Sequence, residues 1–349
     1  MKHIARKAGL TILLLLILPA LILIISMKLF SYRFPDGEVG FIEKVEIGCM
    51  DQWIMVNGKS RELPVLLWLH GGPGAAQMPV ARYFNHRLEE EFIVVHWDQR
   101  GAGKSNPRNF DPGTMTVEQY IADVHQMTQY LKRKLNSDRI YILGHSWGTQ
   151  LGMIAAHRYP EDYVAYIGVG QVVDHHRANL VAHGELKNRI IEEGREKDLK
   201  LLESFKGPPY KQHEDYVSFA RLMNRYNMNF DAKMAKLARV ALFSDAYNLA
   251  DLVRWVRGSN RGSGPMWEES QGWDILERAP GVEVPCYFIS GENDFNTPAV
   301  LVDEMLHQPA VPPSARHYII KDAAHTPFFS RPEEFFNIIK NIKARHPHK

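Results

Sequence analysis

The chain has 349 residues, 45% hydrophobic, 23% charged and 11% aromatic. That is an ordinary globular composition, and it excludes a disordered tail protein, a collagen-like chain and a small disulfide scaffold. Its 42 basic and 40 acidic residues leave a formal charge of +2, which gives no electrostatic reason to expect nucleic acid as a partner. Two cysteines, Cys49 and Cys286, allow one bridge at most and read as two buried thiols.

The charge is unevenly spread. Lys2, Arg6, Lys7 and Lys28 fall in the first 30 residues with no acid among them, so the remainder carries 38 basic and 40 acidic residues, or −2. Between Lys7 and Lys28 lie 20 uncharged residues, and from Leu10 to Met27 only Thr11, Pro19 and Ser26 interrupt the apolar run. At about 1.5 Å per residue a helix of that length spans roughly 30 Å, the thickness of a bilayer's hydrocarbon core. The alternative is a cleaved signal peptide, but the run exceeds the usual apolar region of about 7–15 residues and no A-x-A site precedes Arg33. The expectation is an uncleaved single transmembrane helix within residues 1–30. Three basic residues before the run, against Lys28 and Arg33 after it, favour a cytoplasmic N-terminus with the bulk of the chain on the extracytoplasmic side.

After Arg33 the pattern changes. Val45 to Val56 alternates loosely and ends in Asn57-Gly58, a hairpin turn signal. Pro64–Leu69, Glu91–Trp97 and Arg139–Leu143 are short continuous apolar runs, as expected of strands buried on both faces. Between the last two, Thr116–Leu135 has helical spacing, with Val117, Tyr120, Ile121, Val124, Met127 and Leu131 on one face and a capping box of Thr116 and Gln119. From about Asp174 to Pro280 the strand signal disappears. That stretch is rich in helix formers and is punctuated by Gly207-Pro208-Pro209 and by the glycine-rich segment Arg257–Gly264. Strand-like runs return at Val284–Ser290 and Arg316–Ile320, and Phe335–Ala344 closes the chain as a helix. The alternation predicts an α/β fold with a mostly parallel central sheet, helices on both faces and a helical insertion.

The chemistry falls at strand ends. Gly144-His145-Ser146-Trp147-Gly148 is a G-x-S-x-G element directly after the strand Arg139–Leu143 and before the helical stretch Thr149–Arg158. In that context the motif raises a nucleophilic Ser146 on a strained turn at the top of the sheet. A serine nucleophile needs a base, and the base needs an orienting carboxylate, in the order Ser, acid, His along the chain. The strand Val284–Ser290 runs into Gly291-Glu292-Asn293-Asp294, and the strand Arg316–Ile320 runs into Lys321-Asp322-Ala323-Ala324-His325. His325 is the expected base and Asp294 the expected acid, preferred to Glu292 because it lies farther from the strand; Asp322 is a weaker rival that suits a turn. The strand Pro64–Leu69 ends in His70-Gly71-Gly72-Pro73-Gly74, whose glycines let backbone approach a substrate. The backbone N–H groups of Gly72 and Trp147 are the expected oxyanion donors, with His70 fixing the loop. Gly103-Lys104-Ser105 resembles the tail of a phosphate-binding loop, but the required preceding glycine position holds Asp98. Asp98 and Arg100 are instead expected to brace the loops around the site.

Together, His70–Gly74, Trp97–Ser105, Gly144–Thr149, Gly291–Asp294 and Ala324-His325 resemble the prolyl iminopeptidase branch of the α/β-hydrolase fold, over roughly residues 40–172 and 283–345. The resemblance implies a core of residues 31–173 and 283–349, a helical cap of 174–282 after the sixth strand, release of an N-terminal residue from small peptides, and no metal or organic cofactor. Those enzymes hold the substrate's free amine with acidic cap residues, often near an E-N-H-Y-F-like segment that this chain lacks. Glu185, Glu268 and Glu269 are the candidates here, and they also suit solvated helix faces. An esterase or amidase with the same Ser146–His325–Asp294 triad is the second reading. A binding protein on a hydrolase scaffold is the third, disfavoured by the full set of catalytic residues.

Overall fold

The computed structural model describes residues 25, 26, 29–32, 34, 37–210, 212–262 and 264–346. The anchor expected within residues 1–30 lies almost wholly outside these. Among the described residues no helix is long and apolar enough to cross a membrane.

Eight strands form one sheet: β1 (Val39–Ile47), β2 (Met50–Gly58), β3 (Val65–Leu69), β4 (Ile93–Asp98), β5 (Ile140–His145), β6 (Tyr163–Val169), β7 (Cys286–Gly291) and β8 (Arg316–Ile320). Their spatial order is β1-β2-β4-β3-β5-β6-β7-β8. Only the β1–β2 and β2–β4 pairings are antiparallel, and the remaining pairs are parallel. The helices are α1 (Met78–Asn85), α2 (Val117–Lys134), α3 (Trp147–Arg158), α4 (His175–Glu192), α5 (Glu196–Ser204), α6 (His213–Arg225), α7 (Met234–Leu242), α8 (Leu249–Arg261), α9 (Trp267–Gln271), α10 (Ile275–Arg278), α11 (Ala299–Met305), α12 (Pro327–Ser330) and α13 (Pro332–Ala344). Helices α4 to α10 all fall between β6 and β7, and a bridge between Asp174 and Asp274 closes the base of this insertion.

The continuous apolar strands are explained by their two covered faces. In β3, Val65, Leu67 and Leu69 enter one core with α2 and α3, while Leu66 and Trp68 enter the other with Val80 of α1 and Phe335, Phe336, Ile339 and Ile342 of α13. Each such buried side chain contributes roughly 1.5–3 kcal/mol of transfer free energy, so a two-faced strand tolerates almost no polar substitution. Helix α2 begins at Thr116, whose hydroxyl accepts from Gln119 N at 3.2 Å, but the Gln119 side chain turns to Asp123 at 2.7 Å, so only half of the expected capping box forms.

Two expectations are corrected. The hairpin turn is at Gly48-Cys49, with φ of 56° and 59°, and Asn57-Gly58 instead ends β2. Two consecutive left-handed residues make the tight turn whose twist matches the strands. That turn also leaves Cys49 exposed; both cysteines are free, and only Cys286 is buried. Burial pushes the Cys286 thiol pKa up.

Candidate functional site

Strand β5 passes into α3 through Ser146, whose backbone sits at φ 53°, ψ −121°. Such a conformation costs a non-glycine residue about 1–3 kcal/mol and persists only where its surroundings impose it. The surroundings here are backbone. A Cβ on Gly144 would stand 2.3 Å from the Gly148 carbonyl oxygen, and one on Gly148 would stand 2.3 Å from that of Leu69. The Ser146 N–H donates to the Val169 carbonyl at 3.0 Å, fixing the turn to the end of β6.

The next residue, Gly170, carries the contact across. A Cβ built there would lie 3.0 Å from both Nδ1 and Cε1 of His325. The His325 ring is buried, with Nδ1 2.8 Å from Asp294 Oδ2. Asp294 is held by its own loop: Oδ1 accepts from the N–H groups of Asn296 and Thr297 at 3.0 Å, and Oδ2 accepts from the Thr297 hydroxyl at 2.7 Å. Asp294 is thus the acid set against His325. Glu292 is exposed and accepts from Asp322 N, and Asp322 occupies a left-handed turn position at φ 50°.

His145 ties the serine turn to the histidine loop, because its Nε2 donates to the His325 carbonyl at 2.9 Å while Nδ1 faces Gln77 Nε2 at 3.3 Å. Burial, with His325 and His70 nearby, holds its pKa well below the usual imidazole value, so it stays neutral. His70 plays the expected loop-fixing part. Its Nδ1 donates to Gly71 O at 2.8 Å and its Nε2 accepts from Gln99 N at 3.2 Å, and burial lowers its pKa to about 4. Position Gly71 comes within 3.1 Å of Ser146 Cβ when a Cβ is built on it, so the glycine loop lies directly on the serine.

Gly72, Pro73, Ser146 and Trp147 line one cavity of about 100 Å³, together with Gln150, Val172, His175, Ala178, Tyr216, Trp267, Asn296 and Thr297. The insertion therefore roofs the serine through α4, α6 and α9. Burial lowers the His175 pKa to about 4, so that ring is also neutral. No carboxylate lines the cavity among the described residues. Glu185 pairs with Arg189 at 2.8 Å, Glu269 accepts from Val117 N at the start of α2, and Glu268 is exposed.

Asp98 and Arg100 brace the loops as expected. Arg100 forms a buried two-pronged pair with Asp123 at 2.9 and 3.0 Å, and also donates to Gly48 O at 2.9 Å. Asp98 Oδ2 accepts from Lys104 N at 2.8 Å and from the Tyr247 hydroxyl. Lys104 in turn pairs with Asp251 at 2.7 Å, so this loop seats α8 against the core.

A second Ser–His–Asp series was not anticipated. His317 Nε2 lies 2.9 Å from Ser290 Oγ, and its Nδ1 lies 2.8 Å from Asp303 Oδ1. Ser290 sits within β7 at 1% exposure, on strand backbone rather than on a positive-φ turn. The series joins β7, β8 and α11.

Residues 64–332 match the sequence pattern of the alpha/beta hydrolase fold family. The chain is 30% identical over 312 residues to a probable aminopeptidase, YbaC, of Bacillus subtilis (strain 168), covering 88% of this chain and 97% of that protein. It is 23% identical over 282 residues to a proline iminopeptidase of Heyndrickxia coagulans, covering 79% and 88%. Among solved structures, the proline iminopeptidase of Mycobacterium smegmatis superposes with a TM-score of 0.65 at 22% identity, over 88% of this chain and 98% of that one. The sheet order, the strained serine turn and these matches agree, and the chain belongs to the alpha/beta hydrolase fold family.

Proposed function

We propose that the protein is a serine hydrolase of aminopeptidase type that releases an N-terminal residue from small peptides. The observation that carries this reading is the strained Ser146 at the wall of a roofed cavity, with the His325–Asp294 pair against the same strand end. In the proposed reaction Ser146 Oγ attacks the scissile carbonyl carbon as His325 takes its proton, and Asp294 holds the ring and stabilises the resulting imidazolium. The oxyanion accepts from the N–H groups of Gly72 and Trp147. Trp147 is the first residue of α3, where a backbone N–H has no partner within the helix. Each such donor is worth about 2.7–4 kcal/mol in the transition state. Collapse of the tetrahedral adduct breaks the C–N bond as His325 gives its proton to the leaving amine. Water, deprotonated by His325, then cleaves the acyl-serine ester and restores Ser146. The aminopeptidase and proline iminopeptidase relatives support the peptide substrate.

An esterase or amidase is the second reading, favoured by the lack of a carboxylate among the described cavity residues. Turnover of proline β-naphthylamide, its N-acetyl form and p-nitrophenyl butyrate separates the two. Activity confined to the free amine establishes the aminopeptidase; activity on the butyrate alone moves the enzyme to the esterases.

We also propose that the uncharged run between Lys7 and Lys28 anchors the chain in a membrane, with the catalytic domain on the extracytoplasmic side. Recovery of the full chain in a carbonate-washed membrane fraction, and its digestion by protease added to the outside of intact cells, test both parts.

A further inference from the structure

We propose that Asp231, a residue of the helical insertion, is a positioning residue for His325, and that the segment Met228–Asp231 sets the acid and base loops relative to each other. This inference rests on the triad reading above.

The segment lies between α6 and α7 and touches both loops through backbone. The Phe295 N–H, next to Asp294, donates to Met228 O at 2.9 Å, and the His325 N–H donates to Asn229 O at 2.7 Å. The Phe230 N–H is held by Asn224 Oδ1 at 2.9 Å, so the segment is tied back to α6. Asp231 then closes on both sides of the histidine. Its Oδ2 accepts from Ala324 N at 2.7 Å and from the Ser330 hydroxyl at 2.5 Å; its Oδ1 accepts from Thr326 N at 3.0 Å and from the Thr326 hydroxyl.

His325 follows β8 by a loop rather than belonging to the strand, so the sheet alone does not fix its ring. Its neighbours on both sides, and its own N–H, are instead fixed by a single four-residue stretch of the insertion. Four donors converge on one carboxylate, and only a carboxylate supplies enough lone pairs to accept them all. The same stretch reaches the residue after Asp294, so the two members of the 2.8 Å pair are referenced to one piece of backbone. Loss of the Asp231 contacts on the histidine side, with the Met228–Phe295 bond kept, would let the ring drift from the acid.

The test reads the rate at which a fluorophosphonate phosphonylates Ser146 in the full chain. That rate reports serine activation and does not depend on knowing the substrate. Asp231→Ala is expected to lower the limiting inactivation rate about ten- to hundredfold, the usual cost of a misplacement of about 1 Å, with the probe's half-saturating concentration within about twofold. Asp231→Asn is expected to recover only part of the loss: its Oδ1 still accepts from Thr326 and the Ser330 hydroxyl can turn to accept from Nδ2, while the Ala324 N–H loses its acceptor. Thermal unfolding checks that each variant folds. Should Asp231→Ala fail to fold, Thr326→Val removes one hydroxyl donor alone, with a severalfold loss expected. Wild-type rate in the folded Ala variant, or in Thr326→Val, overturns the proposal, as does a change confined to half-saturation. Mass spectrometry of the labelled wild type distinguishes the other failure: a label on a residue other than Ser146 overturns the triad reading and this inference with it.

Discussion

A Cβ built on Gly262 would stand 1.9 Å from the carbonyl oxygen of Pro73, and one on Gly74 would stand 2.4 Å from that of Gly258. The end of α8 therefore rests backbone-to-backbone on the glycine loop beside Ser146, a contact made possible by hydrogen atoms in place of side chains. Gly262→Ala must displace one of the two. Since Gly72 is the proposed oxyanion donor on that loop, turnover should fall about tenfold to hundredfold while unfolding temperature changes by only a few degrees. Steady-state kinetics beside a melting curve checks this, and unaltered turnover would mean that the loop's position is not what the oxyanion requires.

The two serine–histidine–aspartate series make opposite predictions. Ser146→Ala should fold normally and lose turnover by roughly 10⁴-fold or more, as in other enzymes of this chemistry. Ser290→Ala should retain it, because Ser290 is buried within β7 on strand backbone and lacks the strained turn that presents Ser146. Fluorophosphonate labelling of the wild type should mark Ser146 only.

Breaking the Arg100–Asp123 pair should cost stability more than chemistry. Its side chains are 3% and 0% exposed, and Asp123 also accepts from Gln52 and Gln119. Arg100→Met leaves a buried carboxylate without its cation, for which about 3–5 kcal/mol is the typical loss. Urea denaturation measures it; a loss under about 1 kcal/mol would show that the remaining amide donors suffice.

Asp98 gives the protein a pH-dependent stability. Desolvation is the dominant cause and raises its pKa from 3.8 to about 7, against opposing contributions from the Tyr247 and Lys104 hydrogen bonds and the Lys104 charge, with Asp251 reinforcing the rise. Between pH 4 and 7 the folded chain holds a proton that the unfolded chain has released, so this residue's contribution falls as pH rises through that window. It is fully favourable below pH 4 and flat above 7. Asp98→Asn mimics the protonated form. Its melting temperature relative to wild type should therefore climb from pH 4 to 7, and a constant difference would show that Asp98 is ionised throughout.

What is legible in the sequence follows the physics of burial. Strand β3 coincides with its apolar run to within a residue, since a strand covered on both faces has no solvated position to break the run. Strand β1 shows the contrast: at the sheet edge its burial alternates, so only its last residues carry a pattern. The turn at Gly48-Cys49 escapes notice because cysteine is not a residue that signals left-handed backbone. Strand β6 does not stand out as a run of its own between two helices. Ser146, Asp294 and His325 do stand out, because each follows a strand in a fixed order. Asp231 could not, since its partners lie 93 to 99 residues away and nothing local in sequence encodes a clamp of that span.

The insertion is fastened unevenly. Its later part is stitched to the core through Tyr247–Asp98, Asp251–Lys104, Trp255–Ala76 and Arg257–Asn106, whereas α4, α5 and α6 pack chiefly into a cluster of their own around Leu186, Leu202, Phe219 and Met223. The less stitched part carries His175, Ala178 and Tyr216 over the cavity and is expected to open as a unit of its own. Native-state amide exchange should therefore open α4 to α6 at lower free energy than α8, which makes the first three helices the door of the site and α8 part of its frame.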